Sequence, residues 1–345
     1  MHRALLTVEP YLHGVRVDSF LVKHFRNYTP FRMARIVRAG AVTIDDATAV
    51  PADRVFRGQR VGVKLLEPPD KLISPEPLPL SILHEDDRLL VVDKPAGWIC
   101  HPVGDVHTGT LANAVQHHLD ARSPLPGLSR PGIVHRLDRL TSGTIAVAKD
   151  HLAHRLLSIA FQQGRVEKTY LALVEGTLAA DDGLVDRPIG LHPNGDTILM
   201  SAAENARHAK GARTRFRVLE RCDATTLVEA TPLTGRPHQI RVHFAAIGHP
   251  VVGDEFYGSF GAIRPSRFDV LRSDELRVTS DENGDGTRAV PSGRHALHAL
   301  RLAFAHPITG ERIACESPLP ADFLALASRS KGEGDNREAS GNGDR

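Results

Sequence analysis

Hydrophobic and polar positions alternate along the chain with two different periods. Near the N-terminus Phe20, Leu21, His24 and Phe25 recur at helical spacing, and Asp18 or Ser19 stands where the helix they predict needs a cap. Thr29-Pro30 reads as a second N-cap followed by proline in the first turn. In that second helix Met33, Ile36 and Val37 face inward, while Arg32, Arg35 and Arg38 form one basic stripe. Gly40 ends it. Ala41-Val42-Thr43-Ile44 and Val61-Gly62-Val63-Lys64-Leu65 predict short strands, with a turn at Asp45-Asp46. Residues 67–79 carry Pro68, Pro69, Pro75, Pro77 and Pro79, a stiff linker and a domain boundary.

Beyond the linker the pattern is mostly that of strands. Leu80-Ser81-Ile82-Leu83 and Leu89-Leu90-Val91-Val92 flank an acidic turn at Glu85-Asp86-Asp87. Thr144-Ile145-Ala146-Val147-Ala148 predicts a buried strand. Val166 to Val174 alternates, with Lys168 and Tyr170 on one face and Thr169 and Leu171 on the other. His238 to Ile247 returns to helical spacing, with Ile240, Phe244 and Ile247 as the core stripe and Gly248 as the stop. Arg241 falls one position from that stripe. A second domain therefore spans 80–326. Within it, 264–293 is polar and aperiodic and reads as an exposed insertion; the tail 329–345 has the composition of a disordered segment.

Composition narrows the function classes. The chain has 345 residues, room for two domains, with 41% hydrophobic and 24% charged residues. No apolar run approaches the roughly 20 residues of a membrane helix, and the first residues lack a secretory pattern. With Cys100, Cys222 and Cys315 isolated, the protein reads as cytoplasmic with reduced thiols. The net charge of +2 is uneven: residues 1–66 hold eleven Lys and Arg against five Asp and Glu, a net +6 that leaves −4 for the remainder. That asymmetry points to a polyanionic partner, and it favours phosphate contact over a merely solvated face for the Arg32, Arg35 and Arg38 stripe. No metal site is expected. His238, His243 and His249 lack the spacing of a zinc helix, and Asp281 to Gly286 begins like a calcium loop but has Ser292 where Glu is needed. No glycine-rich nucleotide loop and no Gly-x-Ser-x-Gly elbow occurs, so no cofactor and no serine nucleophile is expected.

The candidate chemistry centres on Gly132 to Gly143. There Asp138 stands between Arg136 and Arg139, just before a Thr141-Ser142-Gly143 turn and the buried strand. A carboxylate held in a loop against a sheet can be oriented and partly desolvated. Three further segments join it: Lys94-Pro95-Ala96-Gly97, Lys168-x-Tyr170, and Gly235-Arg236-Pro237-His238-Gln239-Ile240-Arg241. Taken singly these are a surface charge cluster, a turn, a core tyrosine and a surface arginine.

Taken together they resemble known families. Residues 14–66 resemble the S-four-like RNA-binding domain, through Ile36-Val37-Arg38-Ala39-Gly40 and Val55 to Val61. Residues 80–326 resemble the RluA family of RNA pseudouridine synthases. The resemblance rests on His135-Arg136-Leu137-Asp138 with Thr141-Ser142-Gly143, on the three segments above in family order, and on Gly253-Asp254-x-x-Tyr257-Gly258. It implies an α+β fold, a large mixed and mostly antiparallel sheet with flanking helices and a central cleft, preceded by a small α+β RNA-binding domain. It implies isomerisation of uridine in structured RNA without cofactor, with large-subunit ribosomal RNA the first expectation and transfer RNA the next; a monomer is the default expectation. The roles it implies are Asp138 as the reacting carboxylate, nucleophile or base, and Arg241 as its charge partner, with Arg236 the fallback. Tyr170 lies against the uracil, and Arg136 fills the place of the flipped base. His135, Lys94 and His238 join Arg236 among substrate and RNA contacts. Two departures stand out. Leu140 occupies a position often acidic in the family, which is expected to change outer contacts of the loop, and the 264–293 insertion separates motifs that usually lie closer.

Overall fold

Two hydrophobic cores form in the computed structural model, which describes residues 2–65, 69, 73–123, 127–194, 198–264 and 294–329. The first belongs to β1 (His2–Thr7), α1 (Val17–His24), α2 (Pro30–Arg38), β2 (Val42–Ile44), β3 (Ala47–Thr48) and β4 (Arg60–Leu65). Phe20, Leu21, Met33, Ile36 and Val37 of the helices pack on Val42, Val61 and Val63 of a four-stranded sheet ordered β1-β4-β2-β3. Strand β1 lies ahead of residue 14, pairs with β4 and turns Ala4 and Leu6 into this core. Thr29 caps α2 by accepting the Arg32 amide at 3.2 Å, as the Thr-Pro pair predicts. The cap predicted for α1 is corrected. Arg16 occupies the N-cap position without a side-chain bond, and Asp18 sits inside the first turn, paired to Arg16 at 2.7 Å. There its charge suits the positive end of the helix.

The larger unit comprises β5 (Ser81–Glu85), β6 (Leu89–Lys94), α3 (Leu111–Asp120), β7 (Gly132–Ile133), β8 (Ser142–Ala148), α4 (His151–Gln162), β9 (Glu167–Glu175), β10 (Asp182–Asp186), β11 (Ile189–Leu191), β12 (Met200–Ser201), β13 (Arg207–Lys210), β14 (Arg213–Arg221), β15 (Thr225–Pro232), α5 (Gln239–Ala246), β16 (Leu297–Ala305), β17 (Arg312–Glu316) and α6 (Ala321–Arg329). Its ten-stranded sheet runs β10-β14-β15-β9-β16-β8-β6-β5, with β17 on β16 and β7 on β8. Helices α3 and α4 cover opposite faces of β6 and β8, so every residue of β8 is buried and its side chains do not alternate in polarity. Helix α5 lays Ile240 and Phe244 on β9, β14 and β15. Among the described residues every pairing in this sheet is antiparallel except β8 with β16.

That parallel pairing positions the site. Ser142 and Gly143 lie beside His298 and Ala299. Gly143 has φ +117°, and a Cβ there would stand 2.2 Å from the Ala299 carbonyl oxygen. Only glycine lets the chain leave the Asp138 loop and enter the centre of the sheet. The insertion beyond Arg264, the calcium-like turn at 281–286 and the tail beyond Arg329 fall outside the described residues. No helix among the described residues is long and apolar enough to cross a membrane.

Candidate active site

The loop between β7 and β8 is held by its backbone. Lys94 is buried, and its ammonium donates to the carbonyl oxygens of Pro95 (2.9 Å), Trp98 (2.9 Å) and Arg139 (3.1 Å). The Gly97 amide donates to the same Arg139 oxygen at 2.8 Å. Cys100 accepts from the Leu137 amide at 3.4 Å. Thr141 and His295 share a hydrogen bond of 2.8 Å, and Ser142 and His298 one of 2.9 Å. Arg294 donates to the Leu140 oxygen at 3.2 Å and is itself held bidentately by Asp322 of α6. The loop that presents Asp138 is thus tied to two distant segments, 94–100 and 294–298, and the second is braced by α6.

Asp138 meets Arg241 at the centre of the sheet. Arg241 projects from α5 and is 2% exposed. Its Nη1 donates to Asp138 Oδ2 at 3.1 Å, while Nε and Nη2 donate to the two oxygens of Asp254 at 2.6 and 2.8 Å. The Phe256 and Tyr257 rings lie 5.3 and 5.2 Å from the guanidinium. Burial alone would raise the Asp138 pKa, but His238, Arg241 and His295 outweigh it and hold the carboxyl well below the usual range. Burial also drives both histidines towards their neutral forms, His295 down to about 3, so at neutral pH the effect is carried by Arg241. Asp254 is likewise held low by Arg241 against its own burial. One guanidinium therefore keeps two carboxylates charged, one sealed and one with its side chain 19% exposed to the cleft.

Tyr170 bridges the core under α3 and the core under α5. Burial and then the charge of Asp138 push its hydroxyl well above the ordinary value, so it stays protonated. That hydroxyl makes no hydrogen bond among the described residues. Arg136 is exposed and makes no ion pair among them. His238 sits at the N-cap of α5 with φ +54°, and its Nδ1 lies 2.6 Å from the Tyr257 hydroxyl, which also accepts the Met200 amide at 3.1 Å. A left-handed histidine beside a carboxylate is strain of the kind that collects at functional sites. Arg32 is half-buried and Arg35 and Arg38 are exposed on α2.

Three expectations are corrected. Lys94 cannot meet substrate, because it is fully buried and all three of its protons are used inside the loop; burial lowers its pKa to about 8. His135 stacks on Phe161 of α4 at 4.5 Å and accepts the Ala146 amide at 2.9 Å. It closes the backbone of β8 and is pushed down to about 3 by burial. Leu140 is buried, so the position affects the interior of the loop and not its outer contacts. Arg236, the fallback partner, donates to the Gly211 carbonyl at 3.1 Å instead. Sequence reasoning quoted Asp254 without a role, and missed Arg294, His295 and Asp322. Asp254 had a signal in its Gly-Asp-x-x-Tyr-Gly context; Arg294, after a long polar stretch, had none.

The chain is similar to known proteins over most of its length. The family model described as RNA pseudouridylate synthase matches residues 88–246. The chain is 39% identical to the ribosomal large subunit pseudouridine synthase D of Nitrosomonas europaea, over 93% of this chain and 86% of that one. It is 36% identical to an uncharacterised RNA pseudouridine synthase of Bacillus subtilis, over 94% and 97%. The solved structure of human RNA pseudouridylate synthase domain containing 4 covers 72% of this chain and 92% of its own, with TM-score 0.53 and 27% identity.

Proposed function

The chain belongs to the RluA family of RNA pseudouridine synthases, and on that premise we propose that it isomerises uridines of large-subunit ribosomal RNA through the single carboxylate of Asp138. The observation that carries the residue assignment is the 3.1 Å contact between Arg241 and a partly exposed Asp138. The bond from the ribose anomeric carbon to uracil nitrogen one breaks, the base turns, and carbon five takes that place. The proton lost from carbon five is balanced by one gained at nitrogen one. Nothing is consumed, so the chemistry asks for no cofactor. Asp138 attacks the anomeric carbon or takes the proton of the neighbouring sugar carbon; both roles need the ionised form that Arg241 favours. Tyr170 offers a face to the uracil, worth about 1–3 kcal/mol of stacking, and a proton that its raised pKa retains. A base in structured RNA must leave its stack, at a cost of a few kcal/mol. The unpaired Arg136 fills the space it leaves.

The test is a comparison of pseudouridine maps of total RNA from cells with and without the gene, and from cells carrying Asp138→Asn. Ribosomal positions that vanish in both and return with the wild-type gene are the expected result. Loss confined to transfer RNA would move the substrate assignment, and full modification by Asp138→Asn would remove Asp138 from the reaction. Purified Asp138→Asn should bind RNA within a few-fold of wild type.

A further inference from the structure

The contact between the two units holds a pair of cations without a counter-ion. Asn27, three residues past α1, is fully buried, and its amide nitrogen donates to the carbonyl oxygens of Gly127 (2.8 Å) and Ser129 (3.4 Å). Gln116 of α3 donates to the same Ser129 oxygen at 2.9 Å, and Leu128 packs into the N-terminal core. These contacts bring the flanking residues, Arg26 and Arg130, to one seam. Both are half-buried, and neither makes a hydrogen bond or ion pair among the described residues. The carboxylates around them are engaged elsewhere. Asp120 accepts from Gln116 and the Gly127 amide, Glu9 faces His24 at 3.3 Å, and Asp150 caps α4 and pairs with Arg88.

Like charges half-removed from water repel, and a fold has no structural reason to leave two of them unpaired. Burial and the field of Arg130 both weaken the hold of Arg26 on its proton. His154, against the backbone of Gly132, feels Arg26 as well. His101 is pushed towards neutrality by partial burial, by Arg136 and by Arg130, so both arginines lie within reach of its charge. Arg26 thus acts on Arg130, and Arg130 shares His101 with Arg136 of the Asp138 loop.

We propose that Arg26 and Arg130 form a clamp across the seam for a backbone phosphodiester of the RNA strand that leads to Asp138. Guanidinium groups suit this ligand because they bind phosphate oxygens bidentately and stay charged when partly desolvated. The clamp rests on the reading that the substrate is RNA, and it gives the N-terminal unit a second function: the turn after its α1 completes a site that the larger unit only half contains.

The test uses the full chain, with Arg26→Gln, Arg130→Gln, the double variant and the double Lys variant. Affinity for a ribosomal RNA fragment is read by fluorescence anisotropy across a salt series. The double Gln variant should bind about tenfold or more weakly at low salt, with the slope of log affinity against log salt reduced by about 1–2, and the Lys variant should recover the slope. Without RNA, the double Gln variant should melt at or above wild type. Inorganic phosphate should raise the melting temperature of wild type and not of the double variant. An unchanged affinity and slope overturns the clamp. So does a lower melting temperature with RNA binding intact, which would make the pair structural. Phosphate protection without any change in RNA affinity would make the seam a free-phosphate site and overturn the RNA assignment. None of these readouts is pseudouridine yield, so a wild-type protein that binds RNA but modifies none would sink the functional reading and leave the clamp standing.

Discussion

Arg241 makes sense only as the middle of three residues. Alone with Asp138 it could swing, because one hydrogen bond of 3.1 Å does not fix a planar guanidinium. Asp254 removes that freedom by taking Nε and Nη2 together, so that Nη1 is the nitrogen left for Asp138. Asp254→Asn keeps the shape and removes the charge. Its expected effect on turnover is a fall of about 10²-fold, the scale that misplacement by about 1 Å produces, with RNA affinity little changed. Folding should weaken by roughly 3–5 kcal/mol at neutral pH, since a buried guanidinium loses a buried partner. The pH dependence has a definite sign. Asp254 has a depressed pKa in the folded state, so its stabilisation is complete above the unfolded carboxylate value near 4 and is lost as pH falls towards the lower folded value. Denaturant unfolding at pH 7 and pH 3 should therefore show the gap between wild type and Asp254→Asn narrowing in acid. A gap that is constant with pH would mean that the charge of Asp254 contributes nothing.

The elements that carry the site were legible to different degrees. Strand β8 and helix α5 follow from local periodicity, and so do the positions of Tyr170 on β9 and Arg241 on α5. What periodicity hides is the bracing of the loop, because its partners lie far off in the chain: Arg294 meets Leu140 across 154 residues. The duties of Lys94 and His135 were hidden for another reason: their motifs mark them without saying whether they face substrate or backbone. Helix α6 is the plainest case. Nothing in its sequence ties it to the loop, yet Asp322 within it orients Arg294 and through it the Leu140 carbonyl. Asp322→Ala should lower turnover by about tenfold or more while leaving RNA affinity unchanged, because it frees a buried arginine to pull on the loop. Single-turnover assays with saturating RNA read this directly. Turnover equal to wild type, with α6 intact by circular dichroism, would show that the helix plays no part in holding the loop.

At the scale of the whole molecule the charge asymmetry becomes a division of labour. In the larger unit one arginine on α5 serves two acids, and residues 80–326 hold 27 Lys and Arg against 29 Asp and Glu, a net −2. A polyanion would meet that surface with little electrostatic help. On the proposed reading the N-terminal unit supplies the attraction from outside the sheet, with Arg35 and Arg38 exposed on α2 and Arg32 half-buried beside them. Long-range attraction of this kind is additive and screened by salt, whereas the Asp138–Arg241 pair is local and shielded from it. The two can therefore be separated in one experiment. Reversing Arg32, Arg35 and Arg38 to Glu should weaken RNA binding and flatten its salt dependence, with a slope smaller by about 2–3, and the RNA concentration needed for half-maximal rate should rise in proportion. At saturating RNA the rate of the bound complex should survive, because the hydrogen bonds that hold the Asp138 loop come from 94–100, 241 and 294–298 and not from α2. A loss of rate that saturation does not repair would mean that the N-terminal unit acts in the chemical step and not in capture alone.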